Sequence, residues 1–437
     1  MDSSLIGDMA RAFGLLKIKQ AAGVITRRLP IPQPLLLVGP GASARLGQAI
    51  ADFGHRKLLL VSDPVVVKLG LLLPLTQALE ARGCPYVVFD DIAADAPLPQ
   101  IEKGIARFKA EGCDAVVAVG GGSVMDAAKA IALAAVNHRQ PRDLVGYFKG
   151  RHGPAPIYAV PTTAGTGSEV TVAAVIADPA RGSKLVIADT RLVPTIAALD
   201  PCLMTDLPPH ITAATGMDAL THAVEAYIGE WGTPQTDRWA LAAVGMIYRH
   251  LPTAYRDGAD LAAREQMSLA AAYAGLAFTR ANVGNVHAIA HQLGGKYHVA
   301  HGLANALLLP AVLRWCAPGL TDKLAMLARH AGLAGPRDRP LTLAKKFLAS
   351  VQALNDTLGI PSQLDALQAV DIPALAAAAC DEADMNYPVP KRMTQTDCEA
   401  LLRGLLPVAV AAGRAVSGAK PRQATSATSA PRRRRLK

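Results

Sequence analysis

A chain of 437 residues, 51% hydrophobic but only 4% aromatic, can bury two domain cores built mainly of Ala, Leu and Val, which excludes a disordered protein. Its apolar runs, such as Leu58–Val61 and Leu303–Leu309, are far too short to span a bilayer. Six scattered cysteines without CxxC spacing exclude a zinc ribbon and a disulfide frame and fit reduced thiols in the cytoplasm.

Taken in chain order, the leader predicts a short helix around Ile6–Gln20, and Asp2 and Asp8 leave no uninterrupted apolar core for a secretory signal. Strands follow at Leu35–Val38, Lys57–Ser62, Pro85–Phe89, Ala115–Val119 and Ile157–Val160. Helical stretches lie between them, from Gly41 to about Phe53, Leu71–Arg82 and Pro99–Glu111. Strands alternating with helices of this length predict a parallel sheet with right-handed crossovers. From Pro209 to about Leu405 alternation disappears. Ala/Leu-rich segments of helical spacing take over, at Thr212–Ile228, Thr236–Tyr248, Ala262–Phe278 and Leu341–Leu358. The net charge of +10 concentrates at the end, where Lys420, Arg422, Arg432–Arg435 and Lys437 bring seven positive charges and no negative one. Behind its Ser/Thr/Ala-rich linker this reads as a solvated tail rather than a nucleic-acid-binding element. The expected division is an N-terminal extension (1–33), an α/β domain (34–200), a helical domain (201–418) and a basic tail (419–437).

Three segments carry chemistry. At Gly120–Gly121–Gly122–Ser123 a strand runs through three glycines straight into a helix. Close backbone approach plus a helix N-terminus suits a pyrophosphate, although neither standard nucleotide fingerprint is present. Asp63, just after the second predicted strand, is placed either to accept from an adenosine ribose, favouring NAD over NADP, or to cap a helix in Ser62–Asp63–Pro64. Asp218 and His222 are spaced i,i+4, as are His287 and His291, and His301 follows a Gly294–Gly295 break. Carboxylate and imidazole groups paired on helix faces suit Fe(II) or Zn(II).

With these segments in place, the chain resembles the iron-containing (group III) alcohol dehydrogenases from about Pro34 to Leu405. The matches are the GGGS-x-x-D-x-x-K run Gly120–Lys129, Pro161–Thr171, Gly216–Tyr227 and His287–Pro310. The resemblance implies an α/β dinucleotide-binding domain with a parallel sheet followed by an all-α C-terminal domain, the architecture shared with dehydroquinate synthase. It implies a divalent metal, Fe(II) or alternatively Zn(II), on Asp218, His222, His287 and His301. His291 is implied to be a proton relay near the nicotinamide rather than a ligand. For NAD it implies Asp63, Gly120, Gly121, Gly122, Ser123 and Asp126, with Thr162, Thr163 and Thr166 on the adenine and phosphate side and Lys184 at the nicotinamide ribose. Ala300 departs from the family's usual Pro, and Ala96 from an Asn found in many members.

The activity so implied is NAD-linked interconversion of a small alcohol and its aldehyde or ketone by metal-assisted hydride transfer, in a homodimer or larger homo-oligomer. Alternatives are a hydroxyacid–oxoacid transhydrogenase on the same fold, a lyase of the dehydroquinate synthase type, for which the Asp218/His222/His287/His301 set is not expected, and a nucleic-acid contact through the tail.

Overall fold

The computed structural model describes Gly23, Val24, Thr26 and residues 28–407. The expected leader helix Ile6–Gln20 and the basic tail lie outside the described residues.

Six strands form one parallel sheet in the order β1-β9-β6-β4-β2-β3. They are β1 (Leu35–Val38), β2 (Leu58–Val61), β3 (Tyr86–Phe89), β4 (Ala115–Gly120), β6 (Ile157–Pro161) and β9 (Ile196–Leu199). The crossover helices include α1 (Ala42–Ala51), α2 (Pro64–Lys68), α3 (Leu73–Ala81), α4 (Leu98–Ala110) and α5 (Gly122–Asn137). Because both faces are covered, the strands are apolar throughout rather than alternating. Leu59, Val61, Val116 and Ala118 pack with α4 and α5 on one side. Leu58, Leu60, Val117 and Val119 pack with α1 and α3 on the other. A smaller sheet, β5-β8-β7, is made from β5 (Gly146–Tyr147), β7 (Ala173–Asp178) and β8 (Ser183–Ala188). Its β7–β8 hairpin is antiparallel; it and β9 are strands additional to those expected from the sequence.

After Pro209 the structure is helical: α6 (Pro209–Ile228), α7 (Pro234–Arg256), α8 (Leu261–Ala281), α9 (Asn285–Tyr297), α10 (His301–Cys316), α11 (Thr321–His330), α12 (Pro340–Thr357), α13 (Ile372–Asn386) and α14 (Gln395–Arg403). The helices share one large core around Leu220, Ile247, Leu308 and Phe347. The described residues through Leu406 belong to one compact unit. No helix among the described residues is long and apolar enough to cross a membrane. The α/β half therefore presents the carboxyl ends of its strands, and the helical half supplies the groups that face them.

Candidate metal centre and nucleotide edge

Four side chains that are far apart along the chain meet at one point. One donor atom each from Asp218, His222, His287 and His301 lies within 4.8 Å of the others. Asp218 and His222 stand one turn apart on α6, His287 starts α9, and His301 starts α10. The close approach of α10 to α6 requires Gly302: a Cβ there would meet the Ala214 carbonyl oxygen at 2.4 Å. Ala300 has φ −54°, within the range that a proline would impose, so the family's usual Pro is absent without a change of backbone shape.

The donor set fits a divalent cation. Burial holds the His222 and His287 imidazoles below their ordinary pKa and takes His301 down to about 4, so the rings are neutral and offer lone pairs. His222 is bonded to the Gly165 backbone, and its Nδ1 is buried with no hydrogen-bond partner among the described residues. A buried ring nitrogen without a hydrogen-bond partner, set in a cluster of donors, fits the role of a metal ligand. His287 donates from Nδ1 to Glu225 at 2.6 Å, which leaves Nε2 as its only free ligand atom. Glu225 is itself buried. It accepts from the backbone N–H groups of Gly284, Val286 and His287, and burial still raises its pKa to about 7. Phe278 stacks on His222 with ring centroids 4.2 Å apart, giving the centre an apolar wall.

His291, one turn beyond His287, is not among the four. Its ring lies 5.3 Å from that of His301, and its Nδ1 is 2.6 Å from Glu382. Glu382 also accepts from Tyr387 at 2.5 Å and Gln292 at 2.7 Å. Those bonds hold its carboxyl below the usual range although burial alone would raise it.

The predicted nucleotide residues gather at the carboxyl edge of the sheet, where α/β proteins bind such ligands. Gly120 ends β4 beside Pro161 of β6, and Gly121 caps α5. A Cβ on Gly122 would meet Thr166 at 2.7 Å, and one on Gly121 would lie 3.5 Å from Thr163, so the glycine turn and the threonine loop pack against each other. Thr162 donates its N–H to Gly120. Asp63 caps α2, its Oδ1 accepting from Val65 and Val66 at 2.9 Å. The capping role is thus present, through one oxygen of the carboxylate. Ser123 accepts from the Asp95 N–H, and Asp95 and Ala96 both have positive φ. Lys184 pairs with Asp95 at 2.9 Å, with its Nζ 3.8 Å from the ideal Cβ position of Gly294, so it reaches across to the helical half. Asp126 faces inward instead. Its carboxylate accepts from Ser168 and from the Val175 N–H, and it tethers the loop that follows Thr166.

Three residues of this site were not singled out from sequence: Glu225, Glu382 and Asn305. Glu225 lies three residues after His222 on the same buried helix, a spacing that was available to read. Glu382 comes from α13, 91 residues from His291, and has no local signal.

The known proteins that this chain is similar to fall in one group. A family model described as iron-containing alcohol dehydrogenase matches residues 34–201, and its C-terminal counterpart matches 212–406. NAD-dependent methanol dehydrogenase of Bacillus methanolicus is 39% identical over 75% of this chain and 86% of its own. 1,3-Propanediol dehydrogenase of Klebsiella pneumoniae is 38% identical over 84% of this chain and 95% of its own. A crystal structure of 1,3-propanediol oxidoreductase superposes with a TM-score of 0.83 at 36% identity, covering 86% of this chain and all (100%) of the other.

Proposed function

The chain belongs to the iron-containing alcohol dehydrogenase family, and from that membership we propose how its own residues divide the work of the enzyme. It is an oxidoreductase that interconverts alcohols with their aldehydes or ketones, using NAD and a metal. The relatives act on methanol and 1,3-propanediol by name, and we infer a short aliphatic alcohol or diol here. The convergence of one carboxylate and three neutral imidazoles facing the nucleotide edge carries the assignment.

Asp218, His222, His287 and His301 hold the cation. Glu225 fixes the His287 ring so that Nε2 faces the ion, and Phe278 keeps water from the His222 side. Gly121 and Gly122 receive the pyrophosphate at the start of α5, with Thr162, Thr163 and Thr166 beside it. Asp63 accepts from the ribose and disfavours a 2′-phosphate, while Lys184 stands at the nicotinamide end. When bound, the metal supplies Lewis acidity toward the alcohol oxygen and the nicotinamide accepts the hydride. His291 takes the departing proton at Nε2, since Glu382 engages Nδ1 and fixes that tautomer. We further infer a cytoplasmic homo-oligomer: all six cysteines are unpaired, and β1 leaves an open sheet edge with Leu35 exposed.

Metal analysis of anaerobically purified protein, joined to an NAD-linked screen of short aliphatic, aromatic and polyol substrates, tests the assignment. Absence of NADH formation by fully metallated protein across that panel would rule it out. His291→Ala is expected to keep its metal while kcat falls by about 10²–10⁴-fold. Loss of metal in that variant would remove His291 from the relay and place it among the ligands.

A further inference from the structure

Asn305 lies one turn after His301 on α10 and is completely buried. Its amide nitrogen is 2.6 Å from Asp218 Oδ1, 3.2 Å from His287 Nε2 and 3.2 Å from His301 Nε2. These atoms belong to three of the four side chains assigned to the metal. The orientation is not set by the other end of the amide, because Oδ1 is buried with no partner among the described residues. Rotating the amide would bring that oxygen against the Asp218 carboxylate, an acceptor facing an acceptor.

We propose that Asn305 competes with the cation for its ligands. The argument is one of valence and rests on the ligand reading given above. With Nδ1 of His287 donating to Glu225, Nε2 carries a single lone pair in the plane of the ring. That lone pair can take an amide proton or a metal ion, not both. Asn305 therefore has to withdraw from His287 Nε2 for the metal to bind there, whereas the Asp218 carboxylate has lone pairs enough for both partners. In exchange, its two N–H groups tie Asp218 to one neighbouring imidazole at a time when no cation does, so that the cluster need not be assembled at loading. The residue lowers affinity and slows uptake while keeping the site in register.

Full-length protein is stripped with a chelator and titrated with Co(II), followed by visible absorption for the equilibrium and by stopped flow for uptake. Asn305→Ala should bind Co(II) about 10-fold tighter, the size of one lost charge-assisted hydrogen bond, and take it up faster. Equal or weaker binding than wild type overturns the proposal, weaker binding meaning that the amide supports the bound ion instead. Should the alanine variant fail to fold, Asn305→Ser answers the same question with a shorter side chain that cannot reach all three donors. The ligand assignment is tested separately in the same titration: Co(II) binding unchanged in His287→Ala refutes the assignment itself, whereas a lost site there with no gain in Asn305→Ala refutes only the competition.

Discussion

His287→Ala is expected to lose metal and activity together, with kcat down by about 10³-fold or more, the equivalent of several kcal/mol of charge stabilisation. His287 joins two systems. Its ring joins the cluster with Asp218, His222 and His301, while its Nδ1 anchors to the buried Glu225. Truncation removes a ligand and also leaves Glu225 with only its backbone donors in an apolar surround. Glu225→Gln should give an intermediate result, since an amide still fills the space but no longer enforces the tautomer; a loss of about 10–100-fold in metal affinity is expected. Metal content by mass spectrometry and steady-state rates on the same samples read both outcomes. Full metal occupancy with a normal rate in His287→Ala would show that the ligands lie elsewhere.

Lys129→Met should be the most damaging change to stability away from the metal. Lys129 is fully buried, and its ammonium donates to the Ser168 and Thr171 carbonyls and hydroxyls and to the Ala173 carbonyl, all between 2.7 and 3.1 Å. Burial lowers its pKa to about 8, against the pull of Asp126 and Glu169. Methionine matches the volume but donates nothing, so several buried acceptors lose their partner at about 1–3 kcal/mol each. A net cost of about 3–5 kcal/mol follows, a large share of a typical folding free energy. The melting temperature should drop by about 4–6 °C. The same loop carries Thr162, Thr163 and Thr166, so NADH binding, read by fluorescence, should weaken in parallel. An unchanged melting curve would mean that the five contacts contribute nothing net.

What the sequence disclosed follows from the range of the signal. Apolar runs separated by helix-length spacers predicted five of the six strands in the main sheet, because a doubly covered parallel strand is apolar along its whole length. The glycine turn and the i,i+4 pair on α6 were legible for the same reason, since strand ends and helix faces are local. The fourth metal-site group, His301, was legible only as a residue type after a break; its approach to Asp218 depends on Gly302 meeting Ala214 across two helices. Ile196–Leu199 is too short and Ala-rich to stand out as a strand, and it is recruited into the sheet by pairing with β1 and β6. Glu382 and Asn305 act through contacts that no periodicity encodes. Asp126 and Lys129 share a motif with the phosphate-binding glycines, yet both point the other way and hold the loop from behind.

That loop also touches both candidate sites. Thr166 rests on Gly122 at the pyrophosphate turn, while the Gly165 backbone is bonded to His222 and packs against Thr215 of α6. A segment seated on both candidate sites is the route by which their occupancies would be linked. Whatever affinity dinucleotide lends to the cation through the loop, the cation returns in equal measure. Cells rich in NAD would then protect the enzyme from demetallation without any dedicated chaperone.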